Sequence, residues 1–324
     1  MDNKETILQI KNLKTFFPVS GGVGGEKRYV KAVNNVSFEL TKGETYSLVG
    51  ESGCGKSTTG RSILRLIEPT DGEIIYQGQT INKLKQKEMM QIRRGLQMVF
   101  QDPYSSLNPR KRIGTILEET LKIHHIGTKQ ERTQKVMDIL NKVGFQNEHY
   151  FRFPHEFSGG QRQRIGLARA LIMNPDIIIC DEPVSALDVS IQSQVLNLLE
   201  DLQKEFNLTL LFISHDLSVV RHISNRIGVM YLGKLVEETT TDEIFNNPMH
   251  PYTKALLSAI PVPNPRIKRE KIKLQGEIPS PLNPPTGCVF QTRCPFAMEK
   301  CRTVEPELIE HSPDHKTACH LYYK

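Results

Sequence analysis

The stretch GESGCGKST, Gly50–Thr58, constrains the fold of this chain more than any other part of its sequence. It matches the pattern G-x-x-x-x-G-K-[ST] at every defined position. The apolar run TYSLV before it, Thr45–Val49, predicts a buried strand, and the segment STTGRSILRLI predicts a helix after it. A glycine loop between a strand and a helix is the arrangement in which backbone N–H groups bind phosphate. We therefore predict an α/β fold with a phosphate-binding loop.

The residue types of this loop suit a nucleoside triphosphate with its Mg²⁺ ion. Gly53 and Gly55 allow the backbone to fold closely around phosphates, and the start of the helix adds partial positive charge. Lys56 brings a full charge to the outer phosphates, and Ser57 supplies an oxygen to Mg²⁺. Cys54 is interpreted as a small spacer, with a reactive thiol as the alternative. The predicted nucleotide-binding residues are Gly50, Glu51, Ser52, Gly53, Cys54, Gly55, Lys56, Ser57 and Thr58.

A second candidate site lies in NPDIIICDEP, Asn174–Pro183, where a short apolar run leads into two acids. Ligands of open α/β sheets bind outside the carboxyl ends of the strands, so a buried strand that ends here would deliver charge to that edge. Asp181 suits coordination of Mg²⁺ through water, and Glu182 suits the polarisation of a water that attacks the terminal phosphate. The alternative interpretation is a strand end with solvated acids, which the complete phosphate loop makes less favourable.

A third motif, FSGGQRQRIGLARALIMNPD, precedes that strand. Ser158 is a predicted N-cap, and apolar residues recur at helical spacing from Gln161 to Met173. Gly159 and Gly160 would open a helix whose N-terminus also attracts anions. The alternative is a plain capped amphipathic helix. A second anion site is unexpected in a chain whose first loop already surrounds a nucleotide.

The sequence FSGGQ is similar to the signature of ATP-binding-cassette (ABC) ATPases. In that family two subunits pack head to tail, and each signature closes on the nucleotide that the other subunit holds. The resemblance implies a P-loop ATPase core with an antiparallel β subdomain, a helical subdomain and, here, a C-terminal extension. It also implies contacts to ATP by four signature residues: Ser158, Gly159, Gly160 and Gln161.

Other motifs of the family occur in their usual order. The resemblance implies that Gln101, in MVFQDP, senses Mg²⁺ and the attacking water, and that His215, in LTLLFISHD, contacts the terminal phosphate. Asp188 ends the SALD loop, which in the family links the two active sites across the dimer. Phe17, in KNLKTFF, is implied to stack on adenine, although the neighbouring Phe16 leaves that register open.

The resemblance covers roughly residues 5–260, with one cassette in the chain. It implies an ABC ATPase domain at residues 1–248, with a helical subdomain at about 102–170 that contains the segments RIGTILEETLKIHH and ERTQKVMDILNKVGF. Residues 249–324 form a proline-rich extension, for which the composition predicts turns and short helices.

That extension, from HPYTKALLSAIPVPNP onward, resembles the one found in oligopeptide and dipeptide importer ATPases of the OppF/DppF type. The branch implies ATP hydrolysis that powers peptide import. It also implies partners: two transmembrane permease subunits, a paralogous ATPase subunit and an external peptide-binding protein. Two alternatives stay open, namely an importer of nickel, a metal–chelator complex or an opine, and a soluble ABC ATPase of translation or DNA repair.

Composition restricts the remaining function classes. The net charge of +6 is scattered, and the chain has no Trp and no dense Lys/Arg tract, so we predict no nucleic-acid partner. The first residues do not resemble a signal peptide, and the longest apolar runs are too short to span a bilayer. We expect the protein at the cytoplasmic face of the cell membrane, held there by its partners.

Four of the six cysteines lie close to the C-terminus, at Cys288, Cys294, Cys301 and Cys319. A reducing cytosol argues against disulfides. The preferred interpretation is a [4Fe–4S] cluster with four thiolate ligands, and the resemblance supports it because some members of the branch carry such a cluster. The first alternative is zinc, bound by the same thiolates or with one replaced by His311, His315 or His320. The second alternative is a set of free buried thiols.

Overall fold

The computed structural model describes residues 5–19, 27–102, 106–260, 272–274 and 276–323. The elements within these residues alternate strands with helices through the middle of the chain. The strands are β1 (Thr6–Val19), β2 (Arg28–Thr41), β3 (Thr45–Val49), β4 (Asp71–Tyr76), β5 (Gln79–Thr80), β6 (Leu96–Val99), β7 (Ile177–Asp181), β8 (Thr209–Ser214), β9 (Arg226–Tyr231), β10 (Lys234–Thr240), β11 (Ile309–Ser312) and β12 (His315–Thr317). The α-helices are α1 (Lys56–Ile63), α2 (Gln86–Gly95), α3 (Ile113–Ile123), α4 (Lys129–Lys142), α5 (Gly159–Leu171), α6 (Val189–Phe206), α7 (Leu217–Ile223), α8 (Thr241–Asn246), α9 (Pro251–Ser258) and α10 (Glu299–Thr303). Short 3₁₀ turns lie at Asn147–Phe151, Pro154–Glu156 and His320–Tyr322.

The chain divides into two compact units. The first unit contains Met1–Thr41, Thr45–Lys83 and Ser214–Lys324, and the second contains Lys42–Glu44 and Leu84–Ile213. Parallel strands joined through helices, together with a separate antiparallel sheet, confirm the predicted α/β class.

The first unit contains an antiparallel sheet of order β2-β1-β4-β5. Apolar residues at alternate positions bury one face of it, as a half-covered antiparallel sheet requires. Ile10 on β1 lies opposite Phe38 on β2 and Ile74 on β4, and all three side chains are buried. The same unit pairs β3 in parallel with β9, which forms a hairpin with β10. All five residues of β3 are buried, which confirms the strand predicted before the phosphate loop.

The second unit contains β6, β7 and β8 as parallel neighbours, with β7 in the middle. Every residue of β7 is buried, because a parallel strand covered on both faces has no solvent side. This confirms the predicted strand that leads into the two acids. Helix α5 begins two residues before the predicted helix, directly after Ser158. Helix α3 lies within the first helical segment named above, and α4 begins two residues before the second.

The C-terminal segment, residues 249–260, 272–274 and 276–323, belongs to the first unit. It contains α9 and α10, as the prediction of short helices requires, but also the strands β11 and β12, which the sequence analysis did not predict. β12 pairs with β10 at two positions, Glu237 with Thr317 and Glu238 with Lys316. The segment is therefore joined to the sheet by backbone pairing and not only by side chains.

A buried carboxylate fixes both ends of this segment. Glu237 on β10 is fully buried and accepts hydrogen bonds from the backbone N–H of Met249 at 2.7 Å and of His250 at 2.9 Å. Its Oε1 also lies 2.8 Å from Nε2 of His315 on β12. Burial lowers the pKa of His250 to about 4, so its neutral Nδ1 accepts the N–H of Tyr252 and caps α9. A buried carboxylate is stable only with such partners, so Glu237 depends on both ends of the segment.

Candidate functional site

The phosphate loop joins β3 to α1 and has a backbone that only glycine allows at two positions. Gly50 has a φ of 152°, and a Cβ built on it would lie 2.2 Å from the carbonyl oxygen of Met230. Gly55 has a φ of 106°, and its Cβ would lie 2.1 Å from the carbonyl oxygen of Ala32. Neither contact permits a side chain. The glycines of the motif therefore serve close backbone packing as well as approach to a ligand.

Lys56, the first residue of α1, crosses back over the loop. Its side chain is buried, and Nζ donates to the carbonyl oxygens of Gly50 at 2.8 Å and Glu51 at 3.0 Å. Ser52 and Gly53 at the tip are exposed, and Ser57 and Thr58 are half-buried in the first turn of the helix. The structure thus places a fixed cation and a helix N-terminus in one short loop, which is an anion-binding arrangement.

Cys54 is buried within this loop. Burial raises the pKa of its thiol, and the nearby Lys56 only partly offsets that effect. A protonated, buried thiol is a poor nucleophile. These observations favour the interpretation of Cys54 as a small spacer over the alternative of a reactive thiol.

Glu51 has partners that the sequence analysis did not predict. Its backbone N–H donates to the hydroxyl of Tyr252 at 2.9 Å, and its carboxylate accepts two hydrogen bonds from Arg293 at 2.7 and 3.2 Å. Both partners belong to the C-terminal segment, and Arg293 stands between two of the clustered cysteines. No local sequence pattern signals a contact across 242 positions.

In the second unit, Gln101 and Glu182 are in direct contact. Gln101 Nε2 donates to Glu182 Oε2 at 2.9 Å, although the two residues are 81 positions apart in the sequence. Asp181 ends β7 and is fully buried, whereas Glu182 has a φ of 47°, which non-glycine residues rarely adopt. Such backbone strain concentrates at functional sites. The two consecutive acids therefore have different backbone settings, and their separate roles remain predictions.

The signature residues form a capped helix start. Ser158 accepts a hydrogen bond from the N–H of Gln161 at 3.3 Å, and the Gln161 side chain accepts the N–H of Ser158 at 2.9 Å. This capping box confirms the predicted N-cap. A Cβ on Gly160 would lie 2.3 Å from Ile191, so this glycine lets α5 approach α6 closely. Asp188 is the N-cap residue of α6 and is exposed.

Two further predicted residues lie at the surface of the first unit. Phe17 is 37% exposed on β1, opposite Val30 on β2, and Phe16 beside it is half-buried. His215 is exposed in the turn between β8 and α7. The greater exposure of Phe17 suits a ring that stacks on a ligand. Phe17 therefore stays the favoured candidate over Phe16, and its role remains a prediction.

Comparison with known proteins places the chain in a family. Residues 33–185 match the family model described as ABC transporter, and residues 236–301 match the one described as oligopeptide/dipeptide transporter, C-terminal region. The oligopeptide transport ATP-binding protein AppF of Bacillus subtilis (strain 168) is 57% identical over 324 residues, which cover 99% of this chain and 98% of the relative. The chain belongs to the ABC transporter ATPases.

Other relatives and solved structures agree with this membership. The dipeptide transport ATP-binding protein DppF of Escherichia coli (strain K12) is 53% identical over 308 residues, or 95% of this chain and 92% of the relative. The dimeric structure of the ATP-binding cassette MJ0796 in a post-hydrolysis state, bound to ADP and Pi, matches with a TM-score of 0.64 and 31% identity over 72% of this chain and 99% of that one. ATP and Mg²⁺ are the cofactors that membership of this ATPase family implies.

The four C-terminal cysteines of this ABC ATPase lie near one another. The N–H of Cys288 donates to the carbonyl oxygen of Cys301 at 2.8 Å. Burial, with a smaller contribution from the neighbouring cysteines, raises the pKa of Cys288 to about 12 and that of Cys319 to about 11. Within the described residues, however, no three or more His, Cys, Asp or Glu side chains are grouped to hold a metal ion. The geometry by itself gives no support to the predicted cluster or to zinc.

Along the described parts of the chain, every helix is too short or too polar to cross a bilayer.

Proposed function

We propose that this ABC ATPase hydrolyses ATP to power the import of oligopeptides or dipeptides through partner membrane subunits. The observation that carries the proposal is the joint presence of the phosphate loop, the Gln101–Glu182 pair and a C-terminal region that matches peptide transporters. The curated relatives compared above bear the names of oligopeptide and dipeptide transport ATP-binding proteins. These names favour peptides over nickel, metal–chelator complexes or opines as cargo.

In this proposal the loop Gly50–Thr58 binds the phosphates of ATP, and Phe17 stacks on adenine. Ser57, Gln101 and Asp181 are the side chains that would hold Mg²⁺. The three side chains present hydroxyl, amide and carboxylate oxygens, which fit the preference of Mg²⁺ for oxygen ligands. Such a site needs few acidic side chains, because phosphates and water complete the coordination of the ion.

In this proposal, Glu182 and its neighbours carry out the hydrolysis of ATP. Glu182 takes a proton from water, whose oxygen then bonds to the terminal phosphorus. The bond from that phosphorus to the bridging oxygen breaks, and its electron pair leaves with ADP. Gln101, which already donates to Glu182, orients the water, and His215 contacts the terminal phosphate. Mg²⁺, when held by Ser57, Gln101 and Asp181, would supply positive charge beside the phosphate oxygens.

The signature and the SALD loop act across a subunit pair. We propose that Ser158, Gly159, Gly160 and Gln161 close on ATP held by a second, paralogous ATPase subunit, and that Asp188 links the two sites. The dimeric state named for the MJ0796 cassette supports an assembly of this kind. The remaining proposed partners are two transmembrane permease subunits and an external peptide-binding protein. The chain then works at the cytoplasmic face of the cell membrane.

The proposed domain organisation follows from these roles. An ABC ATPase domain spans residues 1–248 and includes a helical subdomain at about 102–170, which contacts the permease subunits. The peptide-transporter extension spans residues 249–324.

Peptide uptake in cells tests the cargo. Deleting the gene for this chain should reduce uptake of a labelled tripeptide at least about tenfold, and the wild-type chain should restore it, because an importer without its ATPase cannot cycle. Uptake of a free amino acid serves as the control and should not change. Unchanged peptide uptake with impaired uptake of nickel or an opine would assign another cargo. Failure of the chain to co-purify with membrane subunits would favour a soluble ABC ATPase.

We also propose that the four C-terminal cysteines bind a [4Fe–4S] cluster rather than a single zinc ion. The proposal rests on the number of cysteines, since four thiolates are the usual ligand set of such a cluster, and not on the geometry of the described residues, which shows no metal-binding group. The sequence spacing of Cys288, Cys294 and Cys301, C-x5-C-x6-C, is looser than the C-x2–4-C pairs typical of zinc sites. This spacing favours the cluster over zinc.

Metal content tests this second proposal. Protein purified without oxygen should contain about four irons and four sulfides per chain. Cys301→Ser should lose the iron, and Cys180→Ala, a change in the buried strand β7, should retain it. One zinc ion per chain would show that the cysteines form a zinc site instead of a cluster. Metal-free protein that still binds ATP would show that the four cysteines are free thiols.

A further inference from the structure

The C-terminal segment holds the phosphate loop at Glu51 by two independent contacts. The hydroxyl of Tyr252 accepts the backbone N–H of Glu51, and the guanidinium of Arg293 grips its carboxylate through two parallel hydrogen bonds. A bidentate Arg–carboxylate pair is among the stronger polar contacts and fixes both groups in orientation. Arg293 is only 9% exposed in its side chain and Glu51 27%, so solvent screens the pair only partly.

Aromatic packing keeps Arg293 and Tyr252 in place. Tyr231, Tyr252 and Phe290 contact one another with ring centroids 4.7 to 5.4 Å apart, all in edge-on or tilted geometry. Arg293 Cζ lies 5.9 Å from the centre of the Tyr231 ring. The hydrogen bonds that Arg293 donates to Glu51 raise the pKa of its guanidinium, which therefore stays charged. The segment meets the loop again at a cavity of about 290 Å³, lined on one side by residues 51–54 and on the other by residues 278–281.

Because Glu51 is negatively charged, its ion pair with Arg293 affects the binding of a nucleotide. A carboxylate within a loop that receives phosphates would repel them, and near a protein surface such repulsion amounts to kilocalories at short range. Arg293 cancels that charge. Glu51 also provides, through its carbonyl oxygen, one of the two acceptors of Lys56 Nζ. The position of Glu51 therefore affects both the negative charge of its own carboxylate and the placement of the positive charge of Lys56.

We propose that Arg293 is a positioning residue for ATP, which holds and neutralises Glu51 so that the C-terminal segment sets the affinity of the phosphate loop. This inference rests on the proposed binding of ATP by that loop. Arg293 lies directly before Cys294, within the turn in which its N–H donates to the carbonyl oxygen of Phe290 at 3.0 Å. The affinity for ATP is thus linked to the order of the cysteine-bearing turn.

The test measures ATP·Mg²⁺ binding to the full-length chain for three variants and one control variant. Arg293→Met should weaken binding about tenfold, because the charge of Glu51 is left unpaired. The double variant Glu51→Gln with Arg293→Met should recover binding to within about threefold of wild type, because it removes the unpaired charge. Arg293→Lys keeps the charge without the two parallel bonds, so its affinity should lie between those of wild type and Arg293→Met. Arg302→Met, a change at an arginine 70% exposed in the same segment, is the matched control and should bind normally.

The outcomes separate charge neutralisation from simple anchoring of the segment. A double variant that binds no better than Arg293→Met would show that Arg293 only anchors the segment, and normal binding by Arg293→Met would overturn the proposal outright. If Arg293→Met does not fold, Arg293→Gln replaces it, since Gln still donates a hydrogen bond to Glu51, and the same recovery is required. A wild-type chain that fails to bind ATP would remove the proposed function and this inference with it.

Discussion

Glu182→Gln should lower the rate of ATP hydrolysis by at least about a hundredfold in the assembled transporter and leave ATP binding within about threefold of wild type. The amide keeps the size of the side chain and a partner for Gln101, 2.9 Å away, but it cannot take a proton from water. General-base catalysis is worth about 10²- to 10⁴-fold, which sets the expected loss. Steady-state phosphate release and equilibrium binding of ATP measure the two quantities separately.

The control for this experiment is Asp201→Asn, the same acid-to-amide change at an exposed carboxylate on α6 in the same unit. It should hydrolyse ATP at the wild-type rate. Turnover near normal in Glu182→Gln would remove Glu182 from the role of base. Equal loss of binding and turnover would instead indicate that the left-handed backbone at this position, with a φ of 47°, had been disturbed.

The sequence predicted the parts of the site that depend on local patterns. The strand β3, the glycine loop and the start of α1 follow from an apolar run and a motif within a few residues. The strand β7 and the capped start of α5 follow from similarly local signals. The pairing of Gln101 with Glu182 required the family resemblance, because no periodicity relates residues 81 positions apart.

The C-terminal segment shows where such reasoning ends. β11 and β12 are four and three residues long and largely polar, so they lack the apolar alternation that predicts a strand. β12 exists because β10 offers it a free edge and because His315 meets the buried Glu237. In the sequence, nothing distinguishes Arg293 from any other basic residue near a cysteine, and only the fold brings it to Glu51. Tertiary contacts determine these features, and a sequence window does not contain them.

Lys56→Ala should weaken binding of ATP·Mg²⁺ by at least about a hundredfold. The change removes the fixed cation, which is worth about 1.5–3 kcal/mol for each charged hydrogen bond to phosphate. It also leaves the carbonyl oxygens of Gly50 and Glu51 without the donor that now joins them at 2.8 and 3.0 Å. Lys56→Arg should bind almost as poorly, because a side chain only 4% exposed leaves no room for the larger guanidinium.

Isothermal titration of the full-length chain with ATP·Mg²⁺ gives the affinity of each variant, and thermal unfolding shows whether the fold survives. The exposed Lys87 on α2 provides the control, since Lys87→Ala removes a positive charge without touching the loop. A general effect of net charge would weaken both variants alike, whereas a phosphate-binding role weakens only Lys56→Ala. Tight ATP binding by folded Lys56→Ala would contradict the assignment of the loop, and with it the account of Glu51 and Arg293 as a pair that tunes the same site.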